Sequence, residues 1–495
     1  MSPWLRRHPL AVYLPLQALL GFFHLGMLSP WMDEAGTLLT MHRPLGEVIA
    51  FAARDVHPPL FYLLLYGWLQ VPLGLKWEVQ ARVLAVIFAL LATAALDRLW
   101  AKFMPDRLRW WLLMLWSLSP CLLLYSRMSR SYSLQVLLIV VGAAYLLRLA
   151  DRPSWAHGAI FLATALATLY THYVPGLALL AAANLVLAYR KLWGPLFAMD
   201  VVIAAGYAPW VARLSTSLTS WGSHAGGYAV TGNAWFDLPV KLAYWAMAFV
   251  EGEAVPDVLV LLGVATLAVA LWLIGDGVRQ YPRTALVGGV LTVIGMIGVM
   301  RWVSYPFVPA RMLFVLPFFL MLVVAGAGVH RRTGNFVLGA MLVLSVSGAV
   351  CYFFKLGFRN KDYPMPLAQI AAYIKANSTA GDSVIVVDSA NSDPTGLEYA
   401  LGPDRPFLSS AAAGSRDALS SRLVNHRVRT VWFLRNTHDI SADGVNEQME
   451  AELRKSMKPA VLYYQPYSVL ERGLMHGLGM REPPWYAQEL LEFRR

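Results

Sequence analysis

Charge is scarce in this sequence. Only 14% of its 495 residues are Asp, Glu, Lys or Arg, where soluble globular proteins carry about a quarter, and 57% are hydrophobic. That excludes a soluble enzyme of this size, and the apolar content excludes intrinsic disorder. Cysteine is scarcer still. Cys121 and Cys351 both lie in apolar runs without ligand-type spacing, which argues against a zinc site or a disulfide framework and reads as two thiols buried in a membrane. Internal repeats and low-complexity tracts are absent.

What charge there is leans basic, with 41 Lys/Arg against 30 Asp/Glu and a net charge of +11. The first 365 residues hold 27 basic and 15 acidic residues, and the last 130 hold 14 and 15. The excess is therefore confined to the apolar part. This fits charges placed at membrane edges and excludes a nucleic-acid-binding domain. A mean hydropathy of +0.50 completes the picture of a polytopic membrane protein with a soluble tail.

A crossing needs about 20 apolar residues. Such runs lie near 9–29, 82–103, 110–126, 133–150, 155–171, 172–190, 193–213, 257–275, 284–303, 307–329 and 335–356, which predicts eleven transmembrane helices. The first follows Arg6-Arg7 and lacks a small-x-small cleavage site before Pro30, so it reads as an uncleaved helix and not as a signal peptide. Basic clusters at Arg98/Lys102/Arg107/Arg109, Arg148/Arg152, Arg190/Lys191, Arg279/Arg283 and Arg331/Arg332 fall at every second boundary. The positive-inside rule then puts the N-terminus in the cytoplasm and the tail outside, although the opposite loops are almost as basic. The run at 58–74 is apolar enough to be a further span. An interfacial helix is preferred there, because a span would turn the cluster at 98–109 outward. The segment 214–256 reads as an ordered loop with a short interfacial helix.

From about residue 366 the pattern changes. PLAQIAAYIKAN has helical spacing, GDSVIVVDS reads as a buried strand, and a weak helix follows near 394–401. Helix 416–424, strand 429–436, helix 444–456 and strand 460–465 complete a small α/β domain with a mostly parallel sheet. It carries no Gly-rich phosphate loop, and no chemistry is assigned to it.

The residues that suggest chemistry lie where the first helix leaves the membrane. Asp33 and Glu34 are adjacent carboxylates at a membrane edge, expensive there unless exposed or functional. A helix start with Asp33 as N-cap explains them equally well. The same outer segment continues to Asp55-Val56-His57-Pro58-Pro59-Leu60. It thus gathers carboxylates and an imidazole beside the membrane surface, as a general base and a phosphate-binding group acting on a lipid-borne substrate would require.

Asp33-Glu34 followed by DVHPPL at 55–60 resembles the GT-C glycosyltransferases, and is most similar to the protein O-mannosyltransferase and lipid A aminoarabinose transferase branch. Four further segments match in order. SLSPCLLLYSRMSRSYSLQ (117–135) is similar to the family's Ser-Pro…Ser-x-x-Arg…Tyr-x-Leu segment, and Thr171-His172-Tyr173 to its next outer turn. Tyr207-x-Pro209-Trp210 resembles the approach to the second large loop, and VPARMLFVLPFFLMLVVAGAG (308–328) the late Pro-Arg-Tyr-Leu-x-x-x-Pro helix. The resemblance covers roughly residues 9–330. Two departures stand out. O-mannosyltransferases continue HPPL with Gly-Lys where Phe61-Tyr62 stands here, and the aminoarabinose branch has Glu-Lys where Val56-His57 stands. His57 would then take that lysine's place at the donor phosphate, as imidazolium or as a neutral donor.

The resemblance implies a GT-C transmembrane domain over 1–360 and a soluble extracytoplasmic α/β domain over 361–495. It implies an inverting transferase of the bacterial inner membrane that uses a polyprenyl-phosphate sugar. Asp33 would be the base, and Glu34 would orient the acceptor or the partners of Asp33. Asp55, His57, Arg127, Arg130, Tyr132, His172 and Arg311 would bind donor phosphate and sugar. Arginines neutralising the leaving phosphate make a metal unnecessary, and no other cofactor is implied. The acceptor is a lipid, glycan or protein hydroxyl or phosphate. Each residue also has a plainer reading. Arg127 and Arg130 fit snorkelling to headgroups, His57 fits a backbone role before two prolines, and His172 and Tyr132 fit ordinary packing. Glu251, Glu253 and Asp257 are solvated or face the acceptor, and Trp221, His224 and Tyr228 offer an aromatic surface for a sugar. Two other functional classes stay open: a transporter or flippase of lipid-linked sugars, and a non-catalytic envelope subunit that keeps the fold.

Overall fold

The structure is a computed structural model that describes residues 7–495 apart from 55–56, 215–233, 303–307, 389–394, 411, 413, 425–427, 437–444, 465–467 and 478–487. The chain forms two compact units. One comprises Met1–Leu25, Thr40–Ala229 and Asn233–Gly357, the other Gly26–Leu39, Val230–Gly232 and Phe358–Arg495. The division is not a single cut, because a short early segment belongs with the C-terminal residues.

The first unit is helical. Seven helices are long and apolar enough to cross a membrane: Trp77–Phe103, Tyr132–Asp151, Trp193–Leu214, Asp257–Gln280, Pro282–Val299, Pro309–Val329 and Arg331–Phe354. Asp106–Ser117 and Pro120–Ser126 make an eighth if counted as one span bent by 47°. The chain is a multi-pass membrane protein. All eleven runs predicted from the sequence fall on helices, and three of these are shorter: Leu10–Phe22, Trp155–Leu169 and Tyr173–Tyr189. Among the described residues, seven or eight of the eleven expected spans are thus full-length helices. The first of the short helices ends because Phe23 turns extended and His24 adopts a left-handed φ of 47°. The run at 58–74 contains only the ten-residue helix Leu60–Leu69. The segment read as a loop with a short helix holds an 18-residue helix, Ala234–Glu251. Small residues let helices touch backbone to backbone. A Cβ at Gly326 would land on the carbonyl of Leu273, and one at Gly277 on the carbonyl of Leu322, so Val260–Gln280 and Leu316–Val329 pack through both glycines.

The second unit is built on a five-stranded sheet of order β2-β1-β3-β5-β4, with β1 Ser383–Val387, β2 Leu408–Ser409, β3 Thr430–Asn436, β4 Lys458–Tyr464 and β5 Gln488–Arg494. β1 pairs in parallel with β2 and β3, as the alternating helices and strands predict. The sheet is mixed, however, because β5 inserts antiparallel between β3 and β4. Each face has its own core. Ile385, Val387, Trp432, Leu434 and Leu490 pack with helices Leu367–Asn377 and Thr395–Leu401, and Val384, Val386, Phe433, Leu491 and Phe493 pack with Ser415–Val424 and Val445–Arg454. Helices on both faces of a central sheet make a three-layer α/β unit.

Candidate active site

Four turns of the first unit converge on one buried basic cluster. Ser119 caps the short helix Pro120–Ser126, accepting from the Leu122 N–H at 3.3 Å with Pro120 at the first helical position. The chain then turns through Arg127–Ser131 before entering Tyr132–Asp151, which delivers Arg130. His172 caps Tyr173–Tyr189, its Nδ1 accepting from the Val174 N–H at 3.2 Å. Pro58-Pro59 opens helix Leu60–Leu69, and the Leu60 N–H donates to the Tyr170 carbonyl at 2.8 Å, which brings His57 to the turn holding His172. Their rings meet edge to face at 5.6 Å. Arg311 comes from the 3-10 turn Pro309–Val315.

Arg130 Nη2 lies 3.1 Å and Arg311 Nη1 3.5 Å from His57 Nε2. All four side chains are less than a tenth exposed. A guanidinium only donates, so His57 Nε2 must accept and the ring carries its proton on Nδ1. With Nε2 accepting, the imidazole is neutral in this arrangement. His172 is neutral too. Burial, followed by the neighbouring His57, Arg311 and Arg130, holds it well below the ordinary histidine range, and its Nδ1 is already an acceptor.

Arg127, three residues before Arg130, is placed differently. Its Nη1 donates to the carbonyls of Leu20 and Gly21 (3.1 Å to the latter), its Nη2 to that of His24 at 2.9 Å and its Nε to Tyr352 Oη at 3.0 Å. It caps the end of helix Leu10–Phe22, where a cation also complements the helix dipole. Its donors thus serve that helix end, whereas the resemblance puts it at the donor phosphate. Tyr132 is buried with its ring 5.5 Å from Tyr125, edge to face. Tyr125 and Tyr244 both donate to Glu253, a buried carboxyl that burial pushes up to about 7 while the two hydroxyls pull it down. Glu253 thus sits in the tyrosine cluster beside the arginine turn. The sequence marks Glu253 only as one of three acidic residues after an apolar run, and the chain turns there through Gly252 at φ +83°. The two aromatic motifs also meet, with Trp210 Nε1 donating to Tyr173 Oη at 3.1 Å and Tyr207 Oη to the Leu169 carbonyl at 3.3 Å.

Asp33 and Glu34 belong to the second unit. They occupy the first turn of helix Met32–Met41, where carboxylates complement the dipole; Asp33 is half-buried and Glu34 buried. The Asp33 carbonyl accepts from Thr37 Oγ1 at 2.8 Å. Asp55, Trp221, His224 and Tyr228 lie outside the described residues. Among the described residues, no three His, Cys, Asp or Glu side chains gather as metal ligands would. Both cysteines are free and buried.

Neither a protein-family model nor a curated protein matches the sequence. Solved structures do match in fold. ArnT from Cupriavidus metallidurans in the apo state is 11% identical with a TM-score of 0.57, and the same protein bound to undecaprenyl phosphate is 12% identical with a TM-score of 0.56. Each alignment covers 97% of this chain and 97% of that one. The Archaeoglobus fulgidus oligosaccharyltransferase, in complex with zinc and sulfate, is similar over 86% of this chain and 67% of its own, at 11% identity and a TM-score of 0.50. With its apolar helices and its small sheet unit, the chain has the fold of the GT-C membrane glycosyltransferases.

Proposed function

We propose that this chain is an inverting glycosyltransferase of the bacterial inner membrane, moving a sugar from a polyprenyl-phosphate donor to an acceptor hydroxyl or phosphate on the outer face. The observation that carries the reading is the meeting of Arg130 and Arg311 at one neutral imidazole in a buried setting. Two guanidiniums there suit a leaving phosphate, whose charge they neutralise as the glycosidic bond breaks. His57 orients them through Nε2. A cavity of about 590 Å³ adds support. Its wall is almost wholly apolar, includes Trp245, Phe249, Leu271, Phe318 and Phe319, and reaches Met312, the neighbour of Arg311. Such a cavity suits an isoprenoid chain whose phosphate is held by that arginine. The ArnT structure bound to undecaprenyl phosphate makes a polyprenyl phosphate the natural donor lipid to test.

Asp33 takes the proton from the acceptor hydroxyl as it attacks the anomeric carbon, and Glu34 orients the acceptor. The C-terminal domain is extracytoplasmic on this reading. The test pairs a deletion strain with its parent and compares glycans and lipids by mass spectrometry. The deletion strain is expected to lack one sugar, which complementation restores and the Asp33→Asn variant does not, while that purified variant still binds undecaprenyl phosphate. Full restoration by Asp33→Asn would remove the proposed base, and identical glycans and lipids in the two strains would remove the transferase.

A further inference from the structure

The second unit joins two stretches far apart in sequence, and the earlier of them carries the acidic pair. The contacts that join them are specific. Ser29 Oγ accepts from the Ala368 N–H at 3.1 Å, in the first turn of helix Leu367–Asn377, whose own N-cap, Pro366, offers no side-chain oxygen. Ser29 therefore caps a helix 339 residues away in sequence. The Trp31 ring stands edge to face on Tyr363 at 5.0 Å, and both are nearly fully buried. Gly396 leaves room for the chain entering the acidic helix: a Cβ there would lie 2.6 Å from Leu367 Cδ1 and 3.4 Å from the Pro30 carbonyl. One turn further along that helix, a Cβ on Gly36 would rest 3.7 Å from Thr395 Cγ2.

These contacts bracket Asp33 and Glu34 on both sides. The cap and the ring pair hold residues 29 and 31, and Thr395 passes beside residue 36. A helix start held at Ser29 and Trp31 lacks the freedom to fray, which is the usual behaviour of a first turn. We propose that the C-terminal unit is the mount of the acidic helix, with Ser29, Trp31, Tyr363 and Gly396 as positioning residues for Asp33 and Glu34. The domain to which the sequence assigns no chemistry thus takes part through placement. A carboxylate that must meet an acceptor hydroxyl loses rate steeply with small displacements, on the order of 100-fold for 1 Å.

This inference rests on Asp33 acting as base, and its test separates the two ideas. Full-length protein in detergent is compared by hydrogen exchange at the amides of residues 34–39, and the same variants are introduced into the deletion strain. Tyr363→Ala is expected to speed exchange over 34–39 and to cut the rate of sugar product formation about 10- to 100-fold. Undecaprenyl phosphate binding should not change. Tyr363→Phe, which keeps the ring, should restore both readouts, and Ser29→Ala should give a milder form of the defect if Tyr363→Ala fails to fold. Wild-type exchange in Tyr363→Ala and Ser29→Ala would overturn the mount. Faster exchange with undiminished product would overturn the positioning role. Unchanged product in Asp33→Asn would strike the base assignment instead and leave the exchange result standing.

Discussion

A guanidinium has five N–H donors and no acceptor, so its role is set by the acceptors its backbone brings within reach. Arg127 and Arg130 show how far apart those roles fall within one turn. Arg127 reaches three carbonyls at the end of helix Leu10–Phe22 together with a tyrosine hydroxyl, whereas Arg130 reaches an imidazole shared with Arg311. The Arg127→Leu variant leaves several buried carbonyls unpaired, each costing about 1–3 kcal/mol, so its unfolding temperature in detergent should drop clearly. In Arg130→Lys the fork is lost while the charge remains. Its affinity for undecaprenyl phosphate should fall roughly 10- to 100-fold with little change in unfolding temperature. Equal stability losses in the two would erase the distinction. Glu253 gives a pH signature. Its carboxyl sits at about 7 against an ordinary 4.5, so the folded state holds the proton more tightly. That stabilisation is complete below about 4.5 and is lost as pH rises through about 7. Thermal unfolding followed across that window should show a decline in the wild type that is smaller in Glu253→Gln; parallel curves would contradict the assignment.

Among the elements, the long helices were legible from the sequence because an apolar run is a local property. Their ends were not. Leu10–Phe22 stops at a left-handed His24, and the carbonyls left there are satisfied by an arginine about a hundred residues later, beyond the reach of any local pattern. The sheet divides the same way. β1 is a β-branched run and β3 joins β-branched to aromatic residues, and both fall where the sequence placed them. β5 is Gln-Glu-Leu-Leu-Glu-Phe-Arg, rich in good helix formers and buried on both faces, so it lacks the alternation that marks a half-buried strand. Its place between β3 and β4 is what makes the sheet mixed. The site was legible as residue types at turns, since His57, Arg130, His172 and Arg311 do meet; the division of labour between the arginines and the tyrosines around Glu253 are tertiary facts. The contact between Val260–Gln280 and Leu316–Val329 invites a direct test. Any side chain at Gly326 must push the two backbones apart, so Gly326→Val should cost at least about 1–3 kcal/mol, seen as a lower unfolding temperature. A wild-type value would mean that the helices separate freely.

At the scale of the whole molecule, the basic excess read from the composition resolves into distinct uses. Arg283 and Arg190 pair with Asp151 at helix ends, Arg109 with Asp97, and Arg130 and Arg311 gather at the buried imidazole. The same positive total thus divides between ion pairs at helix ends and one buried basic cluster.

The union of Gly26–Leu39 with Phe358–Arg495 also imposes a rule of parity. Two stretches that share one folded unit must emerge on the same side of the bilayer, so the chain between them crosses an even number of times. Helix Leu60–Leu69, ten residues and about 15 Å long, is too short to be one of those crossings. The short helices Trp155–Leu169 and Tyr173–Tyr189, joined by a tight turn, leave the parity unchanged as a hairpin. Seven full-length spans are odd in number, and the bent pair Asp106–Ser117 and Pro120–Ser126, counted as one, offers an eighth. With that pair, the full-length spans among the described residues are even in number, as the shared unit asks.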